Sequence, residues 1–321
     1  MLNFKNKSVL VVGGAGFIGS HLIDELIEEE PEKIIVVDNL FLGDLKNLEN
    51  SKHKFKNLLF EDTDATDYAL MDDIFKKNNI DIVFNLAMIP LPTSLVKPSW
   101  TFENNIKITE VLCEFLRKDM FKTLGQFSSS EVYGSLLKEK IDEAHPLLPK
   151  TPYAASKAAC DHLVYSYYET FGIDMFIIRP FNNYGPRQND KSYAGVIPLT
   201  IKRIINKKQP VIYGDGNQTR DFIFVGDTAK ATVKSYKSKN TRGKIFNVGS
   251  GKEISINTII NMISNLLGWK GGTLFESRRP GDVDRHLADV SLAKKLIDFK
   301  PSVDLEKGMR ITVDWYKNKY R

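Results

Sequence analysis

The sequence predicts an α/β protein built on a doubly wound parallel sheet, with a smaller, turn-rich α/β subdomain after it. Three observations carry this. Short β-branched apolar runs alternate with amphipathic helical stretches through the first half of the chain. The runs are almost continuously apolar, as strands covered on both faces require. After Pro180 the pattern gives way to turn-rich segments separated by short helical stretches.

The strands come first. SVLVVG from Ser8, KIIVVD from Lys33, NLLFE from Asn57, DIVFNLA from Asp81 and TLGQFSSS from Thr123 read as buried parallel strands. FIGSHLIDELIEEE and TEVLCEFLRKD are two of the amphipathic stretches between them, and that alternation builds a doubly wound sheet. A further strand, MFIIRP from Met175, follows a helix that ends near Gly172. Residues 1–180 therefore form the first unit. Residues 181–321 form most of the second, with NNYGPRQND, YGDGNQTRD, GSGKE and KGGTLFESRRPGD as its turns. One return strand, KIFNVG over 244–249, rejoins the first sheet.

Bulk properties narrow the class. A chain of 321 residues suits two packed units. No apolar run is long enough to cross a bilayer, and the first residues lack the layout of a secretory signal, so the cytoplasm is the expected location and no membrane partner is expected. Cys113 and Cys160 lie in helical patterns and read as buried thiols rather than a disulfide. The five histidines are scattered with no ligand spacing, so no metal is expected. The net charge of +5 comes from lysines spread along the chain, which gives no sign of nucleic-acid binding.

VVGGAGFIG places Gly13, Gly14, Gly16 and Gly19 directly after the first strand and at the start of the first helix. Glycines there make a tight turn and let the backbone approach a pyrophosphate. The N–H groups that open the helix, around Phe17 and Ile18, then face the anion with the positive end of the helix dipole. Asp38, followed by Asn39, ends the second strand nineteen residues after Gly19. A carboxylate at that place accepts from both adenosine ribose hydroxyls and repels a 2′-phosphate, which favours NAD over NADP. Strand, glycines, helix and acid in register mark a Rossmann-type NAD-binding unit.

TPYAASKAACDHLVYSYYETFG reads as a helix with Thr151 as N-cap and Pro152 at its first position. Tyr153 and Lys157 are then i and i+4 and share a face. A phenol at its ordinary pKa of about 10 is a poor base at neutral pH. A nearby ammonium favours the phenolate and draws that value down. This spacing alone is common on solvated helices. Its position after a complete dinucleotide fingerprint makes it a catalytic candidate. SSSEVYG, beginning at Ser128, follows the fifth strand, where open α/β sheets place their ligands. A serine there orients a substrate hydroxyl toward Tyr153.

GGAGFIG, VDNL, NLAMIPLPTSLVKP, SSSEVYG, YAASK, RPFNNYGPRQ, YGDGNQTRDFIFVGD and RRPGD occur in one order and spacing over nearly the whole chain. Together they resemble the extended short-chain dehydrogenase/reductase family, specifically its nucleotide-sugar epimerases and dehydratases such as UDP-glucose 4-epimerase. The resemblance implies roles beyond those above. Asp64 and the backbone of Ala65 would contact adenine, and Ala87 would wall the nicotinamide side. Asn105 would support the active site. Ser129 would complete a Ser–Tyr–Lys set, with Ser130 beside the substrate. Asn182, Arg220 and Arg279 would contact the substrate diphosphate. It also implies a homodimer paired through the helical stretches from about Asn105 and Tyr153, and a role in building a surface polysaccharide.

Two departures and one pair bear on the reaction. Asn85 stands where the family often has His, and Met88 where it often has Ala, narrowing the pocket beside the nicotinamide. Ser130–Glu131 differs from the Asp–Glu pair of TDP-glucose dehydratases, yet it resembles GDP-mannose 4,6-dehydratase and UDP-glucuronate decarboxylases. UDP-galactose 4-epimerase has neither group. Glu131 is thus a catalytic base, a substrate ligand or a structural residue. A C4 epimerase ranks first. A 4-dehydrogenase or 4,6-dehydratase follows, then a decarboxylase. The non-enzyme reading, an NAD-sensing protein, is disfavoured because Ser129, Tyr153 and Lys157 are all present. Neither the nucleotide nor the sugar is legible.

Overall fold

The computed structural model describes residues 2–191 and 194–321. The first half folds as its apolar runs require. Along the chain come β1 (Ser8–Val12), α1 (Phe17–Ile27), β2 (Lys33–Asp38), α2 (Glu49–Lys54), β3 (Leu58–Asp62) and α3 (Tyr68–Asn78). Then follow β4 (Ile82–Asn85), α4 (Leu91–Ser94), α5 (Pro98–Arg117), β5 (Thr123–Phe127), α6 (Pro152–Phe171) and β6 (Met175–Pro180). The second half supplies β7 (Asn182–Tyr184), α7 (Val196–Ile205), β8 (Val211–Tyr213), β9 (Thr219–Phe224), α8 (Val225–Lys237) and β10 (Lys244–Val248). It ends with β11 (Glu253–Ser255), α9 (Ile256–Leu267), β12 (Leu274–Glu276), α10 (Ser291–Ile297) and α11 (Leu305–Lys319).

Seven strands form one parallel sheet in the order β3-β2-β1-β4-β5-β6-β10. Val11 on β1 lies between Val36 on β2 and Phe84 on β4. Alternate residues of each strand serve opposite cores. Val9, Val11, Ile34, Val36 and Phe84 pack with Leu22, Ile23 and Leu26 of α1. Leu10, Val12, Ile35 and Val37 pack with Met71 and Phe75 of α3 and with Leu112 and Phe115 of α5. Burial on both faces is the physical reason that these strands read as unbroken apolar runs.

Two differences from the sequence reading follow from local chemistry. Helix α5 starts at Pro98, well before the TEVLCEFLRKD stretch, because Pro98 is compatible with a first helical turn. The boundary at residue 180 marks where the chain first leaves the sheet, but two helices come back along with the return strand β10. Ala231, Val233 and Tyr236 of α8, and Ala293, Leu296 and Ile297 of α10, join the same core as β1 and α1. Among the described residues, no helix is long and apolar enough to cross a membrane.

The remaining segments pack around their own cluster, with Ile197 and Ile201 of α7, Ile259, Ile260 and Ile263 of α9 and Met309 and Val313 of α11. A three-stranded sheet, β11-β9-β7, and a β8–β12 pair complete this half. Side chains tie it to the first half. His21 of α1 bonds the Pro186 carbonyl at 3.0 Å through Nε2, and Arg187 pairs with Asp24 of α1 at 2.7 Å. Burial lowers the His21 imidazole to about 4, so it is neutral and donates to that carbonyl near pH 7. From the other side, Tyr316 donates to the Gln188 carbonyl at 2.5 Å, and Lys319 and Tyr320 both reach the Asp190 carboxylate.

Candidate active site

In this sheet the strand order reverses between β1 and β4, and open α/β sheets bind ligands outside the carboxyl ends of the strands at that point. A cleft of about 900 Å³ opens there and runs on between the two halves. Gly13 turns the chain out of β1 with a positive φ of 80°, and a Cβ on it would sit 2.7 Å from the Ala87 nitrogen after β4. Only glycine lets these two loops close on each other. A Cβ on Gly19 would collide with the Gly13 carbonyl. The first turn of α1 therefore comes hard against the loop, with Gly13, Gly16, Phe17, Ile18 and Gly19 all facing the cleft.

Asp38 stands at the mouth of the next loop. Its carboxylate accepts from Ala15 N at 3.0 Å and Leu40 N at 2.9 Å, which ties the glycine turn to the end of β2. Asn39 Nδ2 donates to Asp64 at 3.2 Å, and Asp64 also accepts from both groups of Thr66, so Asn39, Asp64 and Ala65 form one rim. The glycine cradle and helix N-terminus supply N–H donors and the rim carboxylates supply acceptors, the set that a dinucleotide needs.

The candidate catalytic residues line the same cleft. Thr151 caps α6 by accepting from Ala154 N at 3.2 Å, and Pro152 occupies its first turn. Tyr153 and Lys157 then point together toward the end of β5. Both are almost wholly buried. Burial pushes the Tyr153 phenol well above its ordinary range, with the nearby Ser129 hydroxyl opposing the shift. Burial lowers Lys157 for the same reason, since desolvation penalises the charged form. Lys157 Nζ donates to the Phe127 carbonyl at 2.5 Å, and the Tyr153 hydroxyl donates to Met88 Sδ at 3.2 Å. Ser129 accepts from Glu131 N at 3.2 Å and caps the short turn over Ser130–Tyr133. Its hydroxyl proton stays free to donate toward the phenol oxygen.

Ser129, Glu131, Tyr153, Lys157, Ala87, Asn182, Arg220 and Arg279 all line this one cleft. Ser130 does not. It is buried behind the turn, because the Ser129 cap directs the following residue inward. The sequence reading put Ser130 beside the substrate; the structure does not bring it to the cleft wall. Asn105 is also off the cleft wall, as a supporting residue would be. It accepts from Ile89 N at 2.6 Å and donates to Ser156 Oγ at 2.9 Å, joining the loop after β4 to α6. On the far side, Arg220 pairs with Asp282, and the Arg279 guanidinium stacks 3.8 Å from the Tyr213 ring centre. Asn182 Oδ1 and Gln188 Oε1 are buried acceptors with no hydrogen-bond partner among the described residues.

One group of residues was not anticipated. Asp161, one turn beyond Lys157, accepts from Ser128 Oγ at 2.8 Å and from Arg179 Nε of β6 at 2.8 Å. Arg179 goes on to Tyr133 at 2.9 Å, and Tyr133 donates to Asn247 of β10 at 2.8 Å. The i+4 spacing from Lys157 to Asp161 was the available signal. Nothing local marked Arg179 in MFIIRP as its partner.

Comparisons with known proteins place the chain in a family. The family model for GDP-mannose 4,6 dehydratase matches residues 10–312. The chain belongs to that family. A putative UDP-glucose 4-epimerase of Methanocaldococcus jannaschii is 37% identical, with 98% of this chain and 99% of the relative aligned. The solved UDP-N-acetylglucosamine 4-epimerase of Methanobrevibacter ruminantium M1, in complex with UDP-N-acetylmuramic acid, is 39% identical at a TM-score of 0.90, covering 98% and 99%. The UDP-glucuronic acid 4-epimerase of Bacillus cereus, solved with UDP-glucuronic acid and NAD, is 31% identical at a TM-score of 0.89, covering 98% and 100%. Family membership makes the chain an enzyme of the nucleotide-sugar epimerase and dehydratase group.

The Asp161–Arg179 pair sets a stability test. Arg179→Met leaves a buried carboxylate without its cation, at a cost of about 3–5 kcal/mol. Urea unfolding of the purified variant is expected to show that loss as a lower midpoint with an unchanged slope.

Proposed function

We propose that the chain is an NAD-dependent nucleotide-sugar 4-epimerase. The observation that carries this reading is the placement of Ser129, Tyr153, Lys157 and Glu131 at the waist of one cleft, between the glycine cradle and two arginines. The UDP-sugar 4-epimerases among the relatives support it. Gly13, Gly16 and the first turn of α1 would hold the dinucleotide pyrophosphate. Asp38 would take the ribose, Asp64 and Ala65 the adenine, and Ala87 the nicotinamide side. Asn182, Arg220 and Arg279 would hold the substrate diphosphate, for which guanidinium groups supply paired donors.

Bound NAD supplies the acceptor for the hydride of the sugar C4–H. Every other task falls to the chain. The C4 hydroxyl replaces the Met88 sulfur as the partner of Tyr153, and Tyr153 Oη takes its proton. The Lys157 ammonium, held by the Phe127 carbonyl, opposes the burial that keeps the phenol protonated. Ser129 donates to the same oxygen and fixes the hydroxyl in line. With the diphosphate anchored at the arginines, the 4-keto sugar turns over within the cleft and Tyr153 returns the proton. The same reading takes the enzyme as a cytoplasmic homodimer, paired through the exposed faces of α5 and α6 that carry Phe102, Tyr165 and Phe171.

One observation favours a second outcome. Glu131 faces the cleft, where a 4,6-dehydratase would use a carboxylate to remove the C5 proton of the keto sugar.

Purified protein incubated with NAD and single UDP-, GDP-, TDP- or CDP-sugars tests the reading through product chromatography and the absorbance of reduced nicotinamide. One sugar is expected to convert to its C4 epimer with no lasting rise in that band, and Tyr153→Phe to abolish conversion while NAD still binds. A band that rises and persists would instead identify a 4-dehydrogenase. Loss of carbon dioxide would identify a decarboxylase, and a Tyr153→Phe variant of normal activity would remove the mechanism. Glu131→Gln separates the two leading outcomes. For an epimerase, turnover is expected to stay within about tenfold of wild type; a far larger loss, with a 6-deoxy-4-keto product from the parent enzyme, would establish the dehydratase.

A further inference from the structure

Among the seven methionines of the chain, Met88 has an unusual setting. Met71, Met175 and Met309 are sealed in the hydrophobic cores. Met120 and Met262 pack partly buried against them. Met88 is 37% exposed, more than any other methionine of the described residues, and it lines the cleft. Its sulfur accepts the proton of Tyr153 at 3.2 Å.

The loop that carries it is fixed. Asn105 bonds both the N–H and the carbonyl of Ile89, at 2.6 and 3.2 Å, and Pro90 follows. Movement at Met88 is therefore movement of its side chain, which is unbranched and turns easily. A thioether is also a weak acceptor, so a sugar hydroxyl displaces it from the phenol at little cost. A stronger acceptor on the same side chain would not give way.

We propose that Met88 is a reversible oxidation switch on Tyr153, in which a peroxide converts the thioether to a sulfoxide that holds the phenol and shuts the site. The inference rests on Tyr153 as the reacting base. The step balances. A sulfur lone pair attacks one peroxide oxygen, the S–O bond forms and the O–O bond breaks. The displaced oxygen leaves as water once the protons have moved, sulfur losing two electrons and the peroxide gaining them. The sulfoxide oxygen is a strong acceptor. A small side-chain rotation places it on the phenol proton, and bonding to the neutral form disfavours phenolate further. It also adds a polar atom where the reacting carbon must lie. Dinucleotide and sugar in the cleft would cover the sulfur. A methionine sulfoxide reductase with its thiol reductant would restore the thioether.

Hydrogen peroxide treatment of the full chain, followed by peptide mass mapping and assay of the same samples, tests the switch. Met88 is expected to gain one oxygen before the other methionines of the described residues, with turnover falling in step to below about a tenth of the untreated rate. NAD with the working sugar nucleotide should slow both changes, and methionine sulfoxide reductase should reverse both. Met88→Leu, compared with its own untreated rate, should keep its turnover through the same treatment. Complete oxidation at Met88 with turnover intact would overturn the switch alone, as would a Met88→Leu variant that loses activity at the wild-type pace. An untreated enzyme that converts no sugar would overturn the reading of Tyr153, and the switch with it.

Discussion

The docking of α6 on the carboxyl ends of β5 and β6 is the constraint on which the cleft depends. It is made by charge buried where water cannot help. Asp161 and Arg179 meet at 2.8 Å with both side chains sealed from solvent, and Ser128 and Tyr133 take up further valences of the pair. Removing two charges from water is costly, so a pair of this kind earns its place through geometry rather than through net stability. Here the geometry is the register of one helix against two strands. That register puts Lys157 under the Phe127 carbonyl and Tyr153 beside Ser129.

Burial that fixes the register also makes the phenol a worse base. The same desolvation raises Tyr153 and lowers Lys157, so the two shifts oppose the chemistry proposed for the pair. Competence must come from positive charge brought close to the phenol, from the Ser129 donor, and from exclusion of water, which strengthens each of these interactions. A low-dielectric waist between two polar ends suits a reaction in which one proton moves and the intermediate is not released. At the polar ends, His21 and Arg187 lock α1 to the loop after β7, and α11 grips the same loop from outside.

Much of this was legible in the chain. The parallel sheet was readable because strands buried on both faces are apolar at every position, and the dinucleotide cradle because glycine is obligatory where Gly13 meets Ala87. Tyr153 and Lys157 were picked out by helix spacing and Ser129 by the family resemblance, and all three line the cleft. What stayed hidden depends on long-range contact. Ser130 looks like its neighbours in SSSEVYG, and only the cap made by Ser129 turns it inward. Arg179 reads as a strand residue until α6 is packed over it. The return of α8 and α10 to the first core was masked because their apolar positions suit either half. The Met88 contact with Tyr153 required the loop after β4 to be pinned by Asn105.

The central claim is that a buried, high-pKa phenol is made into a base by the charge of Lys157. The most direct measurement is the pH dependence of kcat/KM for wild type and Lys157→Met on the sugar that the enzyme converts. The rate rises with pH as the phenol ionises, and loss of the ammonium disfavours phenolate, so the expected result is a rising limb displaced to higher pH with much of the activity recovered under alkaline conditions. A variant equally depressed at every pH, with the limb where wild type has it, would contradict the claim and make Lys157 a binding residue only.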